Sequence, residues 1–190
     1  MLSVLFMAGC DKEDDKEEDI LQMTLLDAIN RGYVQFSAYG SSISSSVIEI
    51  YKKSDSKLIL SIDPGLYLAA ESSDDQSMII TGSTQIKMID ETIQEIYVNT
   101  ACMNIHRNIP TGNSKFALKQ LPENDLLTKV IKLLNRVSYS YAVIQAAVWI
   151  VTDEASYADV GVLQNTSRQR VIDTESYNKA VSIVNEARNK

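Results

Sequence analysis

The first half of the chain is a succession of short apolar runs with a period of two residues. The runs are rich in β-branched and aromatic residues, which favour half-buried strands. They read YVQFSAY, VIEIY, LILSI, LYLAA, MIIT, TQIKMI and TIQEIYVNT. Turn signals such as Asp63-Pro64-Gly65 separate them. About seven short strands at this spacing predict an antiparallel β-sandwich or barrel over residues 33–107.

The periodicity becomes helical in the second half, over residues 108–190. Asn124 is a candidate N-cap for a helix in which Leu, Val and Ile side chains share one face. A second helix, from about Tyr139 to Thr152, is apolar on nearly every side, which is typical of the centre of a small bundle. A last helix is predicted near the C-terminus. A β-region followed by a small helical subdomain predicts the α+β class.

One folded domain is expected over residues 20–190. Residues 20–31 (ILQMTLLDAINR) place Leu and Ile at helical spacing, and Gly32 follows as a C-cap, so this segment predicts an entry helix. The domain then divides into this entry helix, the β-region 33–107 and the helical region 108–190.

The first ten residues, MLSVLFMAGC, resemble the lipobox of bacterial lipoprotein signal peptides, in which the cysteine, here Cys10, becomes lipidated. No segment approaches the ~20 apolar residues of a spanning helix. Residues 11–19 (DKEDDKEED) carry most of the net charge of -7 and predict a solvated tether. The remaining chain is nearly neutral, so nucleic acid is not an expected partner.

These features predict an exported protein that a lipid anchors to a bacterial membrane. The acidic residues after Cys10 resemble the export signal of surface lipoproteins in the Bacteroidetes group, which favours the outer membrane and cell surface. Aspartate directly after the cysteine also resembles an inner-membrane retention signal of enterobacterial lipoproteins. The sequence therefore does not distinguish an anchor in the outer membrane from one in the inner membrane.

Cys102 and Gln145 are the residues whose chemistry needs an explanation. With Cys10 lipidated, Cys102 has no intramolecular disulfide partner, so its thiol is buried and inert, paired to another molecule, or used for chemistry. Gln145 lies in the apolar run AVIQAAVWIV, where an unpaired carboxamide would cost roughly 1–3 kcal/mol. The structural alternative is that Gln145 bonds a backbone group of the β-region and orients the helix. Tyr139 and Tyr141 are interpreted as packing residues.

Residues 144–149, Ile-Gln-Ala-Ala-Val-Trp, followed by Thr152-Asp153, resemble the glutamine–tryptophan signature of bacterial thioester domains. These are covalent adhesin modules that combine a β-sandwich with a helical part. The resemblance implies a thioester between the sulfur of Cys102 and the acyl group of Gln145, with Trp149 packed beside them. It also implies attachment to a surface protein or other amine-bearing ligand, without cofactor or metal, in a single turnover rather than as an enzyme.

A third interpretation uses His106, the only histidine of the chain. A Cys102–His106 pair, with Gln145 facing an oxyanion and Asp153 or Asn104 orienting the imidazole, would make a cysteine hydrolase or transferase. One histidine without a second thiol argues against zinc. The sequence therefore predicts a surface lipoprotein that attaches covalently, with non-covalent binding or a structural role and hydrolysis as the alternatives.

Overall fold

The computed structural model describes residues 20–123 and 125–190. The predicted lipobox at 1–10 with Cys10, the predicted tether at 11–19 and the candidate cap Asn124 lie outside the described residues. The described ranges form nine strands and four α-helices, with the long helices after the strands. The predicted α+β class is confirmed.

The elements follow one another as strands and then helices. The strands are β1 (Ile20–Thr24), β2 (Val34–Ser42), β3 (Ser45–Lys52), β4 (Lys57–Ile62), β5 (Leu66–Ala70), β6 (Met78–Ile80), β7 (Thr84–Met88), β8 (Ile93–Cys102) and β9 (Phe116–Gln120). The helices are α1 (Leu25–Asn30), α2 (Leu126–Leu134), α3 (Tyr141–Asp153) and α4 (Thr174–Arg188), with a 3-10 helix at Asp159–Val162.

Six strands form an antiparallel sheet that nearly closes into a barrel. Its order is β2-β3-β8-β6-β5-β9. The two edges meet where Tyr39 bridges Lys115 and where Gly40 N–H donates to Ser114 O at 3.0 Å. Each of the seven runs predicted in the β-region forms a strand, β2 to β8.

The entry helix predicted over residues 20–31 is wrong in its first half. Residues 20–24 form β1, which pairs in parallel with β4 in a second sheet of order β1-β4-β7. Thr24 then caps α1, because its side chain accepts from Asp27 N–H at 3.1 Å. Helical spacing of apolar residues did not decide the conformation, because β4 offers a strand partner for these residues, whereas a short isolated helix is only marginally stable in water.

The helical region predicted over 108–190 contains a strand that the sequence interpretation missed. β9 pairs antiparallel with β5, from Leu66 opposite Gln120 to Ala70 opposite Phe116. Its five residues are too few to show a period of two in hydrophobicity, and only Phe116 among them is buried. The pairing with β5 and the approach to β2 make it a strand, and both are tertiary contacts.

The helices α2, α3 and α4 pack together, and α3 also contacts β8. The cap of α2 is Asp125, whose side chain accepts from Leu127 N–H at 2.8 Å. Ser140 caps α3, which ends at Glu154 in the left-handed conformation, with φ of 54°. α3 is buried along most of its length, as its apolar composition predicts. Within the described ranges, no helix is long and apolar enough to span a membrane.

Gly40 is required where the sheet closes, and this gives a testable prediction. A Cβ there would lie 2.5 Å from Thr111 O and 2.8 Å from Pro110 Cβ. Gly40→Ala is expected to lower the free energy of unfolding by about 1–3 kcal/mol through overpacking, measured by urea denaturation. Gly112→Ala is the control, because a Cβ at Gly112 meets only Gly40 O, at 4.0 Å. Equal losses in the two variants would contradict this account.

Candidate functional site

The site lies at the C-terminal end of β8, which extends beyond its neighbour β3. Thr100 N–H donates to Ser44 O at 3.0 Å, at the β3 side of β8. Backbone groups two residues apart along a strand point to the same side. The N–H and C=O groups of Cys102 therefore also point there, but β3 begins at Ser45, opposite Asn99. Cys102 thus lies beyond the reach of the β3 ladder.

Gln145, in the middle of α3, takes the place of the missing strand partner. Its Oε1 accepts from Cys102 N–H at 2.9 Å, and its Nε2 donates to Cys102 O at 2.8 Å. Both residues have no exposed surface. The carboxamide therefore pairs with both backbone groups of Cys102 and joins α3 to the end of the sheet. The hydrogen bond of Gln145 to the β-region, which the structural alternative predicts, is present.

Tyr141 is a third member of the site, and the sequence interpretation as a packing residue missed this role. Its hydroxyl lies 2.7 Å from Gln145 Oε1 and 2.8 Å from Ile43 O. The single hydroxyl hydrogen is shared between these two acceptors. Tyr141 is one helical turn before Gln145, so the i, i+4 spacing of two polar residues was the signal that could have found it.

The thiol of Cys102 lies in the same enclosed environment. Cys102 Sγ is 3.6 Å from Ile43 O, the carbonyl that Tyr141 also contacts, and 3.4 Å from Met78 Sδ. Burial raises the pKa of the Cys102 thiol to about 12. Burial also raises the pKa of Tyr141, and the nearby Cys102 raises it further. Both groups are therefore protonated at neutral pH.

A cavity of about 620 Å³ lies on the Tyr141 side of this site. Tyr141 and Ile144 of α3 line one side, and Thr100 of β8 lines another. The loop between α2 and α3 forms its rim, from Asn135 to Tyr139. A small molecule in this cavity would meet Tyr141, whose hydroxyl contacts the Gln145 carboxamide.

Trp149 lies on the same helix as Gln145. It follows Gln145 by one helical turn and is only 2% exposed. A second, smaller cavity is lined by both Trp149 and Ile43, so the indole lies on the side of the site where the Cys102 thiol contacts Ile43 O.

His106 and Asp153 do not join Cys102 and Gln145. His106 is exposed in the turn after β8. Hydrogen bonds from Ser156 lower the pKa of Asp159, with a smaller contribution from His106, so His106 lies near Asp159. Asp153 ends α3, about 12 Å along the helix axis from Gln145, and accepts from Thr152 Oγ1 at 2.5 Å. Asn104 begins the turn after β8 with φ of 67°, and its carbonyl accepts from Arg107 N–H at 3.0 Å.

No group of three or more His, Cys, Asp or Glu side chains in the described ranges could hold a metal ion. Comparison of the chain with protein-family models, with curated proteins and with solved structures found no match.

Proposed function

We propose that this chain attaches covalently to an amine-bearing partner through a thioester between Cys102 and Gln145. One observation carries the proposal. Gln145 Oε1 accepts from Cys102 N–H and from the Tyr141 hydroxyl, whose hydrogen it shares with Ile43 O, and this N–H belongs to the residue that carries the buried thiol. Two donors aimed at a carbonyl oxygen are the arrangement that stabilises negative charge during acyl transfer.

Formation of the thioester starts with attack of Cys102 Sγ on the carboxamide carbon of Gln145. The sulfur is separated from the amide nitrogen that binds Gln145 Oε1 only by the Cα and Cβ atoms of Cys102. The C–S bond forms, the C–N bond breaks, and the thiol proton leaves with the nitrogen as ammonia. The two donors hold the oxygen throughout, while the bond from Nε2 to Cys102 O is given up.

Attachment follows when an amine of the partner attacks the acyl carbon. An amide forms between Gln145 and the partner, and the thiol of Cys102 is regenerated with its proton. The complete burial of Cys102 and Gln145 would protect the thioester from water between the two steps. Each chain reacts once, so this is attachment and not turnover. A lipid on Cys10 and the acidic tether would display the domain at the bacterial surface, in the outer membrane.

A non-covalent binding module is the second candidate, and a specific observation favours it. The carboxamide already pairs with both backbone groups of Cys102, so Gln145 needs no covalent fate to be satisfied. The raised pKa of the thiol also keeps it in its less nucleophilic form. In this case Gln145 is a structural latch between α3 and β8, and the partner binds elsewhere.

The geometry gives no support to a cysteine hydrolase. The contacts of the Cys102 thiol go to Ile43 O and Met78 Sδ, neither of which is a base that could ionise it. Among the described residues, only burial shifts the pKa of this thiol, and it shifts it upwards.

Intact-mass spectrometry tests the proposal. The full chain is made with Cys10→Ser, which prevents lipidation and leaves Cys102 as its only cysteine. We expect a mass one ammonia below that of the sequence, and addition of one methylamine with exposure of one thiol after treatment. Cys102→Ala and Gln145→Leu in this background should show no deficit and no labelling.

His106→Ala is the matched control, since His106 lies outside the site and should keep both the deficit and the labelling. A full mass, with a thiol that alkylating reagents reach only after unfolding, would remove the covalent proposal. That result would establish the structural latch instead.

A further inference from the structure

The six-stranded sheet does not close along its whole length. Its end strands β2 and β9 are joined, among the described residues, only around the bridge between Tyr39 and Lys115. Beyond this bridge the two strands line a cavity of about 920 Å³, with residues 34–37 of β2 on one side and 116–118 of β9 on the other. We propose that this opening, the β2–β9 groove, binds an extended peptide segment of a partner protein, which adds a strand between the two edges.

The edge of β2 directs backbone groups into the groove. Lys53 N–H donates to Tyr33 O at 2.8 Å, so Tyr33 is a hydrogen-bonded position in the register that β2 shares with β3. In an antiparallel ladder, the residues between such positions point their N–H and C=O groups to the opposite side. Val34 and Phe36 therefore direct these groups away from β3, to an edge where no strand of the described ranges continues the ladder.

The edge of β9 does the same from the other side. Glu71 N–H donates to Lys115 O at 3.0 Å, in the register that β9 shares with β5. By the same alternation, Leu118 and Gln120 direct their backbone groups away from β5. The groove is thus bordered by two strand edges. An extended peptide is the ligand that supplies backbone donors and acceptors to both edges, as in strand addition to a sheet.

The floor of the groove is apolar and its outer rim is polar. The apolar residues that line it belong to the core or pack against it, and they include Leu26, Ile29, Phe36, Phe116 and Leu118. Gln35 and Ala117, between them along the strands, are exposed. Because successive side chains of a strand face opposite sides, the added strand presents apolar residues to the floor at every second position. The volume lies within the ~300–1,000 Å³ typical of ligand sites.

The charges around the groove indicate which residues face solvent in the added strand. Lys53 lines the open end, opposite Tyr33, and the exposed Lys119 lies on β9 beyond Lys115. Neither lysine takes part in an ion pair within the described part of the chain. Glu71 also lines the groove, but at the closed end, beside Lys115. The cationic open end therefore favours a peptide in which acidic residues alternate with the apolar ones.

Binding of a short capped peptide, TVEVEVT, to the full chain with Cys10→Ser tests the proposal. The peptide carries fluorescein, and its fluorescence anisotropy is measured against protein concentration. We expect saturable binding, with shifts of the Phe36 and Leu118 amide resonances in the ¹⁵N-labelled chain. The same peptide N-methylated at its valines, which loses backbone donors and keeps its side chains, should bind at least about tenfold more weakly, and so should TVKVKVT.

Lys53→Glu should weaken the binding of TVEVEVT about tenfold and strengthen that of TVKVKVT, because it reverses the charge at the open end. Lys87→Glu, on the exposed face of β7, is the matched control and should change neither. Circular dichroism shows that each variant is folded. Cys102→Ala should bind TVEVEVT as the parent chain does, so the result is separate from the fate of the thioester.

Three outcomes would overturn the proposal. One is the absence of saturable binding. Another is equal affinity for the N-methylated peptide, which would mean that the groove takes apolar side chains without strand pairing. The third is a dimer, detected by analytical ultracentrifugation, whose formation displaces the peptide, since a second copy of the chain would then be the occupant.

Discussion

Gln145→Leu is expected to lower the free energy of unfolding by about 3 kcal/mol. Leucine has a volume close to that of glutamine, so packing of α3 is kept while the paired carboxamide is lost. The N–H and C=O of Cys102 then remain buried without partners, since β3 does not reach them. Each unpaired buried group costs about 1–3 kcal/mol. Urea denaturation, followed by circular dichroism, measures the loss.

Gln85→Leu is the matched control for this prediction. Gln85 is exposed on β7, so the same chemical change there should alter the free energy of unfolding by less than about 0.5 kcal/mol. Equal stability of Gln145→Leu and the parent chain would show that the carboxamide does not join α3 to the sheet. The prediction applies to the chain with an intact Gln145 carboxamide, because formation of the thioester gives up the bond from Nε2 to Cys102 O.

Tyr141→Phe is expected to slow the labelling of Gln145 by methylamine by about 100-fold. The substitution removes one of the two donors to Gln145 Oε1 and leaves Cys102 N–H in place. Loss of one such donor typically costs a factor of 10² to 10³ in rate. The free energy of unfolding should fall by only about 1 kcal/mol, the net contribution of one hydrogen bond. The rate is followed by intact mass against time.

Tyr139→Phe is the control for the Tyr141 variant. The ring of Tyr139 lies 5.9 Å from Lys179 Nζ, and Tyr139 precedes α3 rather than facing Gln145. Its labelling rate should stay within about twofold of the parent chain. A Tyr141→Phe rate equal to that of Tyr139→Phe would mean that the hydroxyl takes no part in the acyl transfer.

The strands that the sequence predicted and those it missed differ in what stabilises them. The runs from β2 to β8 carry their own signals, with β-branched residues at a period of two and turn residues between them. β1 and β9 have five residues each, and neither has such a signal. They are strands because β4 and β5 offer them partners, and a partner is a tertiary property.

The site divides in the same way. A glutamine inside an apolar helix and a cysteine without a disulfide partner were visible in the sequence. Burial of the carboxamide predicted a hydrogen bond to the backbone of the β-region, and a resemblance predicted a thioester between the two residues. The role of Tyr141 could have been found from its spacing to Gln145.

The sequence by itself determined the α+β class, the seven strands from β2 to β8 and the burial of α3, because each depends on periodicity and turn residues within a short stretch. Only the tertiary structure decided that β3 begins too late to pair with Cys102 and that Gln145 takes its place. The physical reason is that a hydrogen bond between residues 43 positions apart depends on where three separate elements end, and no local pattern encodes that.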